Sequence, residues 1–272
     1  MTRLSMLAFV AVFFLAPPAA AAPSADLWDR WTAHDPASTA QVDHAAWDGF
    51  LTRYLRTGED GVARLAYGGA VSDADKAALD GYLAALGGTP VSMLNRPEQQ
   101  AYWINLYNAL TVQVILTHHP VDSIRDIDIS PGFFADGPWG KKLLSVEGEE
   151  VSLDDIEHRI LRPIWQDPRI HYAVNCASIG CPNLQDRAFT PDNTETLLND
   201  GARAYVNHPR GVSVDGDKLT VSSIYKWFKS DFGGSDAGVI EHLKQHAAPD
   251  LKAALAEIRR IDRDRYDWSL NE

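Results

Sequence analysis

The chain has 272 residues, of which 45% are hydrophobic, and it carries a formal net charge of −12. Since an acidic chain repels phosphate backbones, we expect no nucleic-acid partner. Two cysteines, Cys176 and Cys181, are too few for a disulfide-rich scaffold in a chain of this length. The composition is that of a globular protein with an ordinary apolar core.

The first 22 residues have the three-part pattern of a secretory signal peptide. Arg3 precedes an apolar run over 7–16, and the small residues that follow end in an Ala-x-Ala site at 20–22. The run is shorter than the about 20 residues that a membrane helix requires. The sequence therefore predicts a periplasmic or secreted protein that begins at residue 21, 22 or 23 and has no stable membrane insertion after cleavage.

The first half of the remaining chain is predicted to be helical. Apolar residues recur at helical spacing over 41–56, and Ser72 caps a second amphipathic helix over 72–86. Asn95 caps a third, long helix, which Pro120 ends.

The second half mixes helices with short strands. The strongest short-range signal is the pair Asp215-Gly216, which predicts a β-hairpin between 211–214 and 218–221. Strands are also predicted over 142–146, 149–151 and 169–175, and helices start at Ser152 and at residue 192. This order predicts an α+β fold, with a helical N-terminal part packed on mixed helices and short antiparallel hairpins, in one domain over 23–272.

Glu157 lies within the apolar face of the helix that starts at Ser152. A carboxylate there is expected to be buried, and an unpaired buried charge is costly. It is therefore predicted to pair with a buried Arg or Lys, or else to serve catalysis or ligand binding. His158 lies at the edge of the same face.

Asn105 and Asn108 lie about 60° apart on the long helix, which is apolar nearly all round. Buried amides need hydrogen-bond partners. They are expected to bind neighbouring backbone or, alternatively, to line a pocket.

The segment RIHYAVNCASIGCPNL, residues 169–184, contains both cysteines. In a strand, His171 and Cys176 would face opposite ways unless the strand ended before Cys176. Cys176 is a candidate nucleophile at the strand end, with His171, His158 or Glu157 as its base. A disulfide with Cys181 is the alternative in an oxidising compartment. The His-x4-Cys-x4-Cys spacing matches no standard zinc pattern, and no metal or other cofactor is predicted.

Several blocks together resemble the DUF547 family, a domain of unknown function common in exported bacterial proteins, over residues 99–271. The resemblance implies no activity. It implies that Cys176, with the two asparagines, Glu157 and His171, belongs to a shared pattern, whereas Cys181 does not. The blocks are AYWINLYNAL, VSLDDIEHRIL, IHYAVNCASIGCPNL, SSIYKWFKSDFG and YDWSLN.

Two hypotheses of function follow. The first is a thiol-dependent hydrolase or acyl-transferase that acts on a small amide or peptide. The second is a non-catalytic binding or assembly module with a buried polar network and a Cys176–Cys181 disulfide. A redox dithiol ranks behind both, because its C-x4-C spacing is longer than C-x-x-C. For the enzyme, the catalytic candidates are Cys176, Glu157, His158 and His171, and the substrate-binding candidates are Asn105 and Asn108.

Overall fold

The computed structural model describes residues 23–132 and 136–272. The predicted signal peptide, residues 1–22, lies outside the described residues. Among those described, no helix is both long and apolar enough to cross a membrane.

Three helices form the N-terminal part, and local capping explains where two of them begin. The Ser72 hydroxyl accepts a hydrogen bond from the Asp75 N–H, and the Asn95 side chain accepts one from the Glu98 N–H. Each cap satisfies an amide that has no partner within its helix. The helices are α1 (Ala45–Tyr54), α2 (Asp73–Gly87) and α3 (Arg96–His118).

The strands of the described residues are short and belong to three small sheets. The predicted hairpin forms with Asp215 opposite Lys218, and its second strand also pairs in parallel with a strand from the C-terminal segment. Helices and small sheets thus alternate in an α+β fold. The strands are β1 (Leu55–Thr57), β2 (Ala63–Leu65), β3 (Leu144–Val146), β4 (Glu149–Val151), β5 (Val212–Asp215), β6 (Lys218–Ser222) and β7 (Arg263–Arg265).

The helices of the second half are mostly short. The segment that contains Glu157 is a π-helix, Asp155–Leu161, and not the α-helix that the apolar spacing predicted. Its i→i+5 hydrogen bonding is seen where the Arg162 N–H bonds to the Glu157 carbonyl. The α-helices are α4 (Arg162–Trp165), α5 (Thr194–Val206), α6 (Ile224–Trp227), α7 (Asp236–His246) and α8 (Pro249–Ala254).

The predicted strand over 169–175 is wrong. Pro168–Tyr172 forms a 3-10 helix, followed by an irregular loop. Pro168 occupies its first turn, and the Asp167 side chain accepts a hydrogen bond from the Arg169 N–H, so local capping outweighs the β-propensity of the sequence. The alternation that set His171 and Cys176 on opposite faces therefore does not apply.

The buried apolar side chains form two clusters. The larger one surrounds α3, and the smaller one includes Tyr205, Tyr225 and Leu243. The Cys176 loop lies between them, because Ala177 belongs to the first cluster and Tyr172 to the second.

The C-terminal segment runs beside the loop that carries the cysteines. The Ile179 N–H donates to the Ser269 carbonyl at 2.8 Å, and the Gly180 N–H donates to the Asp267 carbonyl at 2.8 Å. These bonds bring the last residues of the chain, Tyr266 among them, to Cys176.

Candidate functional site

The two cysteine side chains lie in direct contact without a covalent bond. Cys176 Sγ is 2.9 Å from Cys181 Sγ, and the Cys176 N–H donates to Cys181 Sγ at 3.0 Å. Cys176 is partly exposed, whereas Cys181 is buried. The pair therefore consists of one partly exposed cysteine and a buried cysteine behind it.

Asn108 holds the start of this loop. Its amide nitrogen donates to the Ala173 carbonyl at 2.9 Å, and its amide oxygen accepts from the Asn175 N–H at 2.8 Å. Asn175 in turn donates to the Pro182 carbonyl and accepts from the Ala177 N–H. The chain is thus folded back between residues 173 and 182, which places Cys176 beside Cys181.

Ala177, immediately after Cys176, has a φ of +57°. A residue other than glycine in this region carries backbone strain, which surrounding contacts must maintain and which is frequent at functional sites. Here the Asn175 side chain binds the Ala177 N–H, and the Asn271 N–H binds the Ala177 carbonyl. Both neighbours of Cys176 in the chain are therefore fixed.

Two hydroxyl groups approach Cys176 Sγ in addition to the second thiol. Tyr266 Oη is 3.1 Å away and Ser178 Oγ is 3.3 Å away, and the two hydroxyls are 2.9 Å from each other. Hydrogen bonds from Cys181 foremost, and also from Ser178 and Tyr266, lower the pKa of Cys176 despite the opposing effects of its partial burial and of the charge of Glu157. Cys176 is therefore the thiol that becomes the thiolate.

Cys181 is affected in the opposite direction. Burial raises the pKa of its thiol well above the ordinary value, and the neighbouring Cys176 raises it further. Cys181 thus keeps its proton and donates a hydrogen bond to the Cys176 thiolate.

Glu157 and His171 belong to a separate buried ionic network. His171 Nε2 lies 2.8 Å from Asp231 Oδ2, and its Nδ1 lies 3.5 Å from Glu157 Oε1. Arg162 binds the same Asp231 carboxylate through Nε and Nη2. Glu157 is 8% exposed, as its place in the apolar face predicts, but its nearest cationic partner is a histidine and not a lysine or arginine.

The pKa shifts in this network favour ion pairs. Burial opposes the charge on His171, but the bonds to Asp231 and Glu157 outweigh it and raise the pKa of His171. Burial likewise opposes the charge on Glu157, but His158, His171 and Arg162 outweigh it and lower the pKa of Glu157. A protonated His171 therefore bridges two carboxylates.

His158 lies 3.9 Å from Glu157, between Nδ1 and Oε1, but it has closer partners. Its Nδ1 lies 3.1 Å from Arg162 Nη1, and its Nε2 lies 3.7 Å from Asp154 Oδ1. Burial, first of all, lowers the pKa of His158 to about 4. His158 is therefore neutral at pH 7.

The structure divides the six candidate residues into three groups. Cys176 contacts Cys181 and two hydroxyls, while Glu157, His158 and His171 share the ionic network. Asn105 binds the backbone N–H and carbonyl of Phe189, at 2.9 and 2.8 Å, so it fixes a different loop. Both asparagines are thus occupied with backbone groups.

Two cavities, of about 310 and 510 Å³, lie elsewhere in the fold than the candidate site. Neither is lined by Cys176 or Glu157. Within the described residues, no group of three or more His, Cys, Asp or Glu side chains is arranged to hold a metal ion.

Sequence reasoning missed the roles of Ser178, Tyr266 and Asp231. Tyr266 and Asp231 lie in the blocks YDWSLN and SSIYKWFKSDFG, which the family resemblance had already marked. It also missed Asp154, whose pKa is raised to about 6 by burial and by the charges of Glu157 and Asp155. No periodicity could have found Tyr266 and Asp231, because they lie 90 and 60 residues from Cys176 and His171.

Comparison with known proteins confirms the family resemblance. Residues 91–206 match the family model described as "Protein of unknown function, DUF547". The match includes α3, the π-helix, both cysteines and α5, and it ends before Asp231 and Tyr266. No curated protein and no solved structure matches the chain.

Proposed function

We propose that this chain, which carries a DUF547 domain, is a thiol protein that exchanges its Cys176/Cys181 dithiol with disulfides of peptides or proteins. The observation that carries the proposal is the 2.9 Å contact between the sulfurs of a partly exposed and a buried cysteine. This geometry provides an attacking thiol with a resolving thiol directly behind it.

Cys176 has the properties of the attacking group. Exchange requires a thiolate that can reach its substrate. The lowered pKa of Cys176 supplies the thiolate, and its partial exposure supplies access. Tyr266 and Ser178 remain beside the sulfur as donors.

The exchange balances without another reagent. The Cys176 thiolate attacks one sulfur of the substrate disulfide, and the second substrate sulfur leaves as a thiolate. Cys181 then loses its proton to solvent and attacks Cys176 Sγ, which releases the first substrate sulfur. The products are a Cys176–Cys181 disulfide and a reduced substrate, which takes up the protons.

The pKa of Cys181 suits this order of events. Besides burial, the neighbouring Cys176 raises that pKa. Once Cys176 is joined to a substrate sulfur it has no negative charge, and this contribution disappears. Cys181 is therefore more easily deprotonated in the mixed disulfide, where its attack is needed.

A second candidate is thiol-dependent hydrolysis or acyl transfer on a small amide or peptide. The observation that favours it is the pair of hydroxyls at 3.1 and 3.3 Å from Cys176 Sγ. Such donors can stabilise an oxyanion that forms next to the sulfur. Neither His158 nor His171 is a hydrogen-bond partner of Cys176 among the described residues, so this reaction lacks the usual adjacent base.

Trapping of the covalent intermediate on Cys176 distinguishes the two reactions. The reduced protein and its Cys176→Ser and Cys181→Ser variants are incubated with a peptide disulfide and analysed by mass spectrometry. Exchange predicts a persistent mixed disulfide only in Cys181→Ser, because that variant cannot resolve it. Acyl transfer instead predicts a thioester on Cys176 with an activated ester, unaffected by Cys181→Ser. A thiol pair that reacts with neither substrate would contradict both.

We also propose that the protein acts outside the cytoplasm, because residues 1–22 have the pattern of a signal peptide. N-terminal sequencing of the exported protein should give a start at residue 21, 22 or 23. An intact Met1 on exported protein would contradict this proposal.

A further inference from the structure

Arg210 is a partly buried cation beside the loop that carries the cysteines. Its Nη1 donates to the Ile179 carbonyl at 2.9 Å, and its Nη2 donates to Asn183 Oδ1. Ile179 and Asn183 each lie two positions from Cys181, one before it and one after it. The guanidinium therefore binds the chain on both sides of the buried thiol.

Tyr205 links Arg210 to the same loop. The guanidinium lies over the Tyr205 ring, 5.5 Å from its centroid, and the Tyr205 hydroxyl binds the Gly180 carbonyl. The face of an aromatic ring attracts a cation. Arg210 is thus fixed against the residues that surround Cys181.

No carboxylate pairs with Arg210 in the part of the chain that the structure describes. Asp60, whose charge acts on Arg210, is bound by Arg64 through both of its oxygens, at 2.8 and 2.6 Å. The Nε of Arg210 is buried and has no hydrogen-bond partner among the described residues. Because an uncompensated charge is costly away from water, an anion that forms beside Arg210 is stabilised by it.

Cys181 is the group that becomes an anion at this place. In the resolving step of the proposed exchange it loses its proton, while Cys176 is joined to the substrate and carries no charge. Burial lowers the pKa of Arg210, whereas the charges of Tyr205 and Cys181 raise it. Since such coupling is reciprocal, Arg210 favours the thiolate form of Cys181.

The other titratable groups near Cys181 are neutral or exposed. His208 Nδ1 accepts the Arg210 backbone N–H at 3.1 Å, so this nitrogen carries no proton. Asp267 and Arg265 contact the neighbouring backbone from exposed positions, where water and salt screen their charges. Burial raises the pKa of each of the four tyrosines coupled to Cys181, which are Tyr67, Tyr107, Tyr205 and Tyr266.

We infer that Arg210 is a positioning residue whose charge stabilises the Cys181 thiolate when this thiolate resolves the mixed disulfide. The inference rests on the proposed exchange function and names the group that promotes its second step. In that step Cys181 gives its proton to solvent, its sulfur bonds to Cys176 Sγ, and the bond from Cys176 to the substrate breaks. The substrate sulfur leaves as a thiolate. Arg210 keeps its proton throughout, so it changes the rate and not the products.

Stopped-flow mixing of the reduced full-length protein with one equivalent of 4,4′-dithiodipyridine separates the two steps. Attack by Cys176 releases the first 4-thiopyridone in a phase whose rate depends on concentration. Resolution by Cys181 releases the second in a phase whose rate does not. The pH dependence of the second phase therefore reports the pKa of Cys181 in the mixed disulfide.

Arg210→Gln removes the charge and keeps a side chain that can donate hydrogen bonds. The midpoint of the second phase should move to higher pH by about 1, as expected when a nearby opposite charge is lost. At pH 7 this phase should slow about threefold, because the thiolate fraction falls about tenfold while the nucleophilicity of the thiolate rises with its pKa. Arg210→Met takes its place if the glutamine variant does not fold.

Two further variants serve as controls. Arg210→Lys keeps the charge but loses the planar fork, so its midpoint should remain near that of the wild type. Arg96→Gln should change neither phase. Arg96 is the matched arginine, because it too binds backbone carbonyls, lies over an aromatic ring (Trp165, at 5.6 Å) and has no ion pair among the described residues. Circular dichroism and the rate of the first phase show that each variant is folded.

The outcomes separate the inference from the function on which it rests. An unchanged midpoint in the neutral variant, or an equal shift in Arg210→Lys, would overturn the role of the Arg210 charge while leaving disulfide exchange in place. A wild-type protein that releases only one thiopyridone, or whose second phase depends on concentration, would overturn resolution by Cys181 and the proposed exchange with it.

Discussion

His171 Nδ1 lies 3.5 Å from Glu157 Oε1, and both residues are almost completely buried, at 3% and 8% exposure. On its other side, the same imidazole binds Asp231 at 2.8 Å, and its ring stacks on Phe228 with centroids 4.4 Å apart. The histidine therefore compensates two carboxylates at once. Its position explains why Glu157 is tolerated in an apolar face, since the imidazole compensates the charge of the buried carboxylate.

Replacement of His171 by glutamine should destabilise the fold by about 3–5 kcal/mol, because it removes one member of a buried charged network. The pKa of His171 is raised above its ordinary 6.5, so its contribution is complete below pH 6.5 and is lost as the pH rises through the folded-state pKa. Urea unfolding of wild type and variant between pH 5 and 9 measures this. The difference between them should shrink towards pH 9, and a difference that grew would contradict the protonated state.

Replacement of Tyr266 by phenylalanine should raise the pKa of the Cys176 thiol, because it removes one of the donors to the sulfur. The alkylation rate of the reduced protein with iodoacetamide, followed from pH 5 to 10, reports the thiolate. Its midpoint should move to higher pH in Tyr266→Phe. Tyr225→Phe is a suitable control, since that hydroxyl bonds to Tyr172 and not to the thiol.

Replacement of Asn108 by alanine should cost about 2–4 kcal/mol of stability, because the buried Ala173 carbonyl and Asn175 N–H would both lose their partner. Asn105→Ala removes an equivalent pair of bonds from Phe189 and should cost a similar amount. Only Asn108→Ala should also change the alkylation rate of Cys176, measured under conditions where both variants remain folded. Equal effects on the thiol would contradict the assignment of Asn108 to the cysteine loop.

Replacement of Gly180 by alanine should separate the cysteine loop from the C-terminal segment. A Cβ at this position would lie 2.7 Å from the Asp267 nitrogen and 2.8 Å from its oxygen, which are backbone atoms. We expect a loss of about 1–3 kcal/mol, the usual cost of overpacking, and slower alkylation of Cys176 as Tyr266 is displaced.

The matched control for this variant is Gly81→Ala, within α2. No atom lies within 4 Å of a Cβ at position 81, and alanine is favoured over glycine in a helix by about 0.8–1.0 kcal/mol. Thermal unfolding should therefore show opposite shifts for the two substitutions. A gain in stability in both would show that the Gly180 contact relaxes without cost.

Local sequence was enough to predict the helical N-terminal part and the hairpin at Asp215-Gly216. Ser72, Asn95 and the Asp-Gly turn each act within a few residues, so their effect is visible in the sequence. The burial of Glu157 was predictable for the same reason, since it follows from helical spacing. The secondary structure of the segment 169–175 was not predictable in this way, because Pro168 and Asp167 impose a helical turn on residues that favour a strand.

The unusual residues can be read from the sequence: two cysteines five positions apart, a carboxylate in an apolar face and two amides in a buried helix. Their partners follow from the tertiary fold. Cys176 meets Tyr266 across 90 residues, and His171 meets Asp231 across 60, so no local pattern records either contact. Hydrogen bonds and ion pairs require distances of about 3 Å, and here the packing of remote segments sets those distances.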